Sequence, residues 1–287
     1  MRNTLLFLML LIFSLTAFSH NGRRDAHGGH LDRSSGVYHC HKESCIDPGN
    51  INKDEIDALD GEPELSIAIA RSWGQAKVWA RDIIYAGANA TFYCGCTFEP
   101  KGTSGGKIDK TSCSYDGDLQ KNKNRSKRLE WEHIVPASLM PARSFQCWNE
   151  GLSACTEGGR KCCEQHDLKA RIQIFDLHNL VPSVGQANAL RSNKRYGIIE
   201  GEDRKLGSCD FEWSDALTEP GDSLRGDVAR TWLYYFSQYG LQLKPGEFEM
   251  LKRWSKKDPP SEWEILRNSR IKELQGSGNP FIEEFNL

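Results

Sequence analysis

The sequence predicts an α+β protein: a mainly helical mixed domain, cross-linked by disulfides, behind a small His/Cys-rich module. Apolar residues recur at helical spacing in several stretches that carry end signals, short strand-like runs stand between them, and all ten cysteines follow an apolar leader. A chain of 287 residues has room for one large domain plus an appendage. Its 37 Lys and Arg against 39 Asp and Glu give a formal charge of −2. That sum neither selects nor excludes a polyanionic partner, because positive charge concentrated on one face survives a balanced total.

Taken in order, residues 5–18 are apolar, follow Arg2 and end at Ala17-Phe18-Ser19, the small-residue pattern at which secretory leaders are cut. The run is shorter than the roughly 20 residues a bilayer span needs. Residues 1–19 are therefore expected to be a signal peptide, and the mature chain to be secreted or periplasmic, monomeric and free of the membrane. In an exported protein an even cysteine count argues for disulfides. Cys94-Gly95-Cys96 and the adjacent Cys162-Cys163 are poorly placed to bridge within themselves, so each should reach elsewhere, while Cys40 and Cys45 are expected to close a small loop.

Residues 20–50 are rich in His, Gly and Asp and too poor in aliphatics to build a core. His20, His27, His30, His39 and His41 crowd there with Asp32 and Cys40, a donor set suited to Zn2+ or Cu2+. Gly22-Arg23, Asp25, the stretch from Gly28 to Asp32, Gly36 and Tyr38-His39-Cys40-His41 resemble the small YHYH-type module of exported bacterial proteins. Acidic residues 51–65, with Gly61 and Pro63, read as a linker into a domain spanning 66–287.

Within that domain Ile69, Trp73, Ala76, Trp79, Ala80 and Ile83 fall at spacings of three and four and predict a core helix. Residues 102–106 are loop-like, and 111–115 and 128–135 read as strands, with Pro136 and Pro141 ending the pairing. A helix is expected over 181–195, with Pro182 or Ser183 in its first turn and Gly197 beyond its end, which puts Asn179 at or just before its N-terminus. Two more are expected over 222–239, closed by Gly240, and over 261–275, where Ser261 and Glu264 form a capping box ahead of Gly276.

The chemistry gathers in Glu130-Trp131-Glu132-His133-Ile134-Val135-Pro136-Ala137 and in Asp176-Leu177-His178-Asn179-Leu180-Val181-Pro182. On an extended chain Glu132 and His133 point to opposite faces. An in-line displacement at phosphorus uses that separation, with a cation beside the scissile phosphate and leaving oxygen and a base addressing water on the other side. Glu132 offers charge to a hard divalent cation, Asn179 a neutral oxygen, and His133 an acceptor for the proton of water. Trp131 and His178 read as structural.

Strand, strand and helix carrying these residues resemble the ββα-metal (His-Me finger) nucleases, and nearly all of 66–287 is similar to the endonuclease I family of exported bacterial nucleases. The resembling residues are Phe92-Tyr93-Cys94-Gly95-Cys96, Glu130 to Ala137, Cys147-Trp148, Gly158-Gly159-Arg160-Lys161, Asp176 to Pro182, Gly185, Asn188, Arg191-Ser192-Asn193 and Asn279-Pro280-Phe281-Ile282. The resemblance implies a Mg2+-dependent, largely sequence-nonspecific endonuclease acting on DNA and often RNA. It makes Glu132 and Asn179 the metal ligands, His133 the general base and Arg160 the residue that holds the cleaved phosphate. The chain departs from the pattern in extra residues around 151–156 and in Gln186, where many relatives carry Glu.

Lys121, Lys123, Arg125, Lys127 and Arg128 precede the active strand, and with Arg191, Lys194 and Arg195 they form an expected phosphate-backbone track. Two other classes compete with a nuclease. A zinc hydrolase lacks its His-Glu-x-x-His signature here, and a catalytically silent nucleic-acid- or metal-binding protein of the same fold would not need every catalytic residue.

Overall fold

A computed structural model describes residues 29–32, 37–40, 68–116, 119–201 and 204–285. The chain divides into two units, Met1–Ile46 and Asp47–Leu287. In the first, strands β1 (Gly29–Asp32) and β2 (Val37–Cys40) pair antiparallel with His30 opposite His39. The expected signal peptide, His20, His27, His41, the linker and the Cys40–Cys45 loop lie outside the described residues.

The second unit is mixed α+β. Its first described helix is α1 (Trp73–Trp79), started by Ser72, whose side chain accepts from the Gln75 amide. A π-turn, Ala80–Ile84, follows, closed by Tyr85 N–H donating to the Ala80 carbonyl at 2.8 Å. The extra residue of a π-turn rotates the helix face. The periodic stripe therefore fails at its end: Ile84 is buried at 1 % exposure and Ile83 stands out at 42 %.

Strands β3 (Phe98–Lys101) and β4 (Gly105–Ile108) form a hairpin over the loop-like residues. Residues 111–115 are not a strand; Thr111–Cys113 is a single 3-10 turn, because Asp109 accepts from the Thr111 amide and hydroxyl and folds the chain locally. Strand β5 (Leu129–His133) pairs antiparallel with β6 (Leu180–Val184), Leu129 opposite Val184 and His133 opposite Leu180.

Between these strands lie α2 (Gln146–Asn149), α3 (Arg160–His166) and α4 (Leu168–Ile174). Helix α5 (Gly185–Arg191) follows β6 directly, so the helix expected over 181–195 is a strand in its first part. Pairing with β5 outweighs the helix-start signal of Pro182, whose missing N–H costs nothing on the outer edge of a two-stranded ladder. Gly185 is required there, since a Cβ would stand 2.7 Å from both the Arg125 carbonyl and Glu130 Oε1.

A three-stranded sheet places β9 (Leu217–Pro220) between β7 (Arg195–Tyr196), which is parallel to it, and β8 (Phe211–Trp213), which is antiparallel. The buried helix α6 (Arg225–Tyr239), then α7 (Glu247–Lys257), α8 (Glu262–Gln275) and the short α9 (Pro280–Glu283) complete the domain. Ser261 caps α8 by accepting from the Glu264 amide. The expected capping box is only half formed, because the Glu264 carboxylate is committed to Arg230. Four disulfides, Cys94–Cys209, Cys96–Cys113, Cys147–Cys163 and Cys155–Cys162, agree with the expectation that neighbouring cysteines bridge elsewhere. Among the described residues no helix is long and apolar enough to cross a membrane.

Candidate active site

Alternation along β5 sends Glu130 and Glu132 to one side and Trp131 and His133 to the other. Glu132 is 2 % exposed. Its Oε1 accepts from the Tyr93 hydroxyl at 2.8 Å and faces Arg191 Nε at 3.3 Å, while Oε2 is buried with no hydrogen-bond partner. Burial pushes the carboxyl above its ordinary range, and Arg191 and the Tyr93 and Ser183 hydroxyls oppose the shift. The Tyr196 hydroxyl, 2.5 Å from that of Tyr93, holds the phenol in place.

His133 lies on the cleft side, its ring stacked on Trp73 at a centroid distance of 4.9 Å. Nε2 stands 2.6 Å from the Ile174 carbonyl, which can only accept, so Nε2 carries the hydrogen and Nδ1 the lone pair. Burial, then the neighbouring Arg160 guanidinium, lowers its pKa to about 3. The ring is thus neutral across the physiological range.

Asn179 is not placed to ligate a metal. It is wholly buried, and its Oδ1 accepts from Val135 N–H at 2.6 Å while Nδ2 donates to the Val135 carbonyl at 3.0 Å. Its own carbonyl accepts from Ile134 N–H, so the residue extends the β5–β6 ladder as a backbone clamp, and it precedes a strand rather than a helix. The amide that reaches the cleft belongs to Asn188 on α5. Asn188 Nδ2 donates to Glu130 Oε2 at 2.9 Å, leaving Oδ1 as its acceptor. The signal was present in the sequence: Asn188 and Arg191 are three apart, on one helix face.

Arg191 is 2 % exposed and so is no part of a surface track. Its two terminal nitrogens donate to the His133 and Ile134 carbonyls, fixing the end of β5 from which the Glu132 and His133 side chains project.

Arg160 enters from the other wall. It is the first residue of α3, after Gly159, and the disulfides Cys147–Cys163 and Cys155–Cys162 anchor that helix. The extra residues around 151–156 lie within the loop closed by Cys147–Cys163. Its Nε bonds Glu164 Oε1 at 2.6 Å and its guanidinium lies over the Trp73 ring. Arg160, Lys161, His133, Trp73, Asn188 and Arg191 share an open cleft of about 700 Å³.

The structure divides the expected basic track. Arg125 and Arg128 are both paired with Glu130, and Arg195 with Glu247. Lys194 Nζ donates to the Leu190 carbonyl at 2.6 Å. Lys121, Lys123 and Lys127 are exposed on the segment leading into β5, and Lys161, outside the expected track, adds a charge in the cleft.

Comparison with known proteins fits this geometry. The Endonuclease I family model matches residues 75–285, a span that holds β5, the Arg160 helix, Asn179 and Asn188. The chain belongs to the Endonuclease I family. It is 37 % identical over 207 residues to a periplasmic deoxyribonuclease of Aeromonas hydrophila, covering 70 % of this chain and 81 % of that one. An extracellular deoxyribonuclease of the same organism is likewise 37 % identical over 207 residues, covering 70 % of this chain and 84 % of the relative. Endonuclease-1 of Buchnera aphidicola subsp. Acyrthosiphon pisum (strain APS) is 35 % identical over 201 residues, covering 69 % and 76 % respectively.

Other family motifs take structural work in this chain. Asp176 accepts from the Tyr234 and Tyr239 hydroxyls of α6 and from the His178 amide, and His178 is buried against the Ser277 carbonyl. Gln186 accepts from the Tyr115 hydroxyl and donates to the Leu119 and Lys121 carbonyls. A glutamate could not make those two donations, so Gln186 is matched to its surroundings as an amide.

Proposed function

We propose that this member of the Endonuclease I family is an exported, metal-dependent and largely sequence-nonspecific endonuclease that hydrolyses phosphodiester bonds of DNA, with RNA as a further substrate. The observation that carries the reading is Glu132 Oε2, a buried carboxylate oxygen without a partner at the end of the strand that also presents His133. An acidic oxygen held dry and unpaired suits a hard cation. Glu132 and Asn188 are the residues that would hold Mg2+, with the role first given to Asn179 passing to Asn188. The bound cation would neutralise charge at the scissile phosphate and leaving oxygen.

The protein's own groups supply the rest. His133 Nδ1 accepts a proton from the attacking water, and donation from Nε2 to the Ile174 carbonyl fixes the tautomer and supports the imidazolium that forms. Arg160 offers terminal N–H groups to a phosphate, while Arg191 holds the strand end. Lys121, Lys123, Lys127 and Lys161 give affinity for the phosphate backbone without reading bases. Names of the relatives, periplasmic and extracellular deoxyribonucleases, support export and a DNA substrate.

Plasmid digestion with Mg2+ and with chelator, comparing wild type and His133→Ala, tests the reading. Cleavage should need both metal and His133, and activity surviving both losses would remove the assignment. The N-terminal unit carries a separate proposal, a Zn2+ or Cu2+ site drawn from His20, His27, His30, His39 and His41, supported by the register that sets His30 against His39. Metal analysis of the full chain and of a His30→Ala/His39→Ala variant should differ by one ion per chain.

A further inference from the structure

Trp73 lies two residues ahead of the segment that the family model covers, yet it touches both halves of the chemistry. One helix start puts it there. Ser72 accepts from the Gln75 amide, and Gln75 Oε1 accepts in return from the Arg71 amide at 2.7 Å, so Trp73 is fixed as the first residue of α1 at the cleft wall. Its ring stacks on His133 at 4.9 Å and 26°, and the Arg160 guanidinium lies over it at 5.2 Å. Lys77 Nζ stands 5.8 Å from the same ring.

Each partner also has a hydrogen bond of its own. The bond from His133 Nε2 to the Ile174 carbonyl anchors the far end of the ring but does not bear on its face. Arg160 is tied through Nε to Glu164 on its own helix, which fixes it to α3 but not to β5. An indole shared by both closes that gap, since stacking orients an imidazole and the negative face of an aromatic ring attracts a guanidinium.

We propose that Trp73 is the positioning residue of this site, an aromatic plate that holds the base His133 and the phosphate-binding Arg160 in one fixed relation. The proposal rests on the roles given to those two residues above.

The test is steady-state cleavage of a defined DNA duplex with Mg2+ by the full oxidised chain. His133→Ala serves as the control for the underlying reading. Trp73→Ala should lower kcat roughly 10- to 100-fold, the scale of a displaced reacting group. Trp73→Phe should stay within about threefold of wild type because a ring face is retained. Trp73→Leu, which keeps apolar volume and loses the face, should behave like Trp73→Ala. Arg160→Ala should cost less in the Trp73→Ala background than in wild type, as expected for coupled neighbours. Rescue by Leu equal to that by Phe, strict additivity with Arg160→Ala, or unchanged kcat in Trp73→Ala would each overturn the positioning role while leaving the nuclease reading intact. Undiminished cleavage by His133→Ala would overturn both.

Discussion

Two buried arginine–glutamate pairs sit in this domain at nearly the same depth, and they are finished differently. Arg230 and Glu264 have side-chain exposures of 0 % and 4 % and meet in a two-pronged contact, Nε to Oε1 at 2.7 Å and Nη2 to Oε2 at 2.5 Å. The remaining Arg230 nitrogen donates to the Asp258 carbonyl at 2.6 Å, so α6, α8 and the end of α7 share one junction. Arg191 and Glu132, at 2 % and 1 %, approach only at 3.3 Å, and both Arg191 Nε and Glu132 Oε2 lack a hydrogen-bond partner. Burying a charged group is costly unless its bonds are satisfied. The first pair is complete as it stands; the second leaves a carboxylate oxygen and a guanidinium nitrogen unpaired, the atoms on which the proposed cation site rests. Equal residue types at equal burial thus separate a structural joint from the proposed site, and the discriminating detail is the unspent atom.

That contrast predicts opposite responses to the same chemical change. Glu132→Gln should cut kcat/KM roughly 10²- to 10³-fold, the scale for loss of one preorganised charge contact, while the thermal midpoint of the metal-free protein holds or rises. Mg2+ should raise the midpoint of wild type, as any ligand of the native state does, and should not raise that of Glu132→Gln. An equal Mg2+ shift in both would place the cation elsewhere. Glu264→Gln should instead cost about 3–5 kcal/mol of stability by stranding a buried arginine, read as a lower denaturation midpoint, with the folded fraction cleaving DNA normally. Gly226→Ala attacks the same joint sterically, since its Cβ would stand 2.0 Å from the Asp258 carbonyl and 2.7 Å from both terminal nitrogens of Arg230. A loss of about 1–3 kcal/mol is expected from such overpacking, and a neutral result would show the joint to be more pliant than its contacts suggest.

Part of this was legible without coordinates. The opposite directions of Glu132 and His133 could be read because alternation along one strand is a local rule, whereas Arg160 entered only through the family resemblance of its Gly-Gly-Arg-Lys segment. The helices over residues 225–239 and 262–275 announced themselves through Gly240, Ser261 and Gly276. Partner choice, by contrast, is a long-range property. Residues 180–184 became a strand because β5 lies alongside, and Asn179 lost its oxygen to a backbone group 44 residues earlier. Trp73 and Tyr93 gain their meaning from neighbours that spacing does not reveal.

The two asparagines give the next sharpening of the contrast. Asn179→Ala should cost about 1–3 kcal/mol by leaving Val135 N–H and C=O buried and unpaired, with activity lost in step with folding. Asn188→Ala should spare the denaturation midpoint and raise the Mg2+ concentration needed for half-maximal cleavage. Reversal of those outcomes would return the ligand role to Asn179.

The smallest effect belongs to Asp227, which lies beside the complete pair, 3.6 Å from Arg230 Nη2. Burial and the adjacent Glu264 carboxylate push its pKa up to about 8. In the unfolded chain the group ionises near 3.9. Between those values the native state retains the proton that the unfolded state has lost, so stability falls as pH rises through that window. Its stabilising contribution is full below the unfolded value and gone above the folded one. With the side chain 21 % exposed, solvent screening limits the swing to about 1 kcal/mol. Asp227→Asn should flatten the decline in denaturation midpoint between pH 4 and 8, measured in chelator so that the cleft is metal-free. If the decline persists unchanged in the variant, another group near the joint carries it, and the Arg230–Glu264 pair is less insulated from its neighbours than its geometry implies.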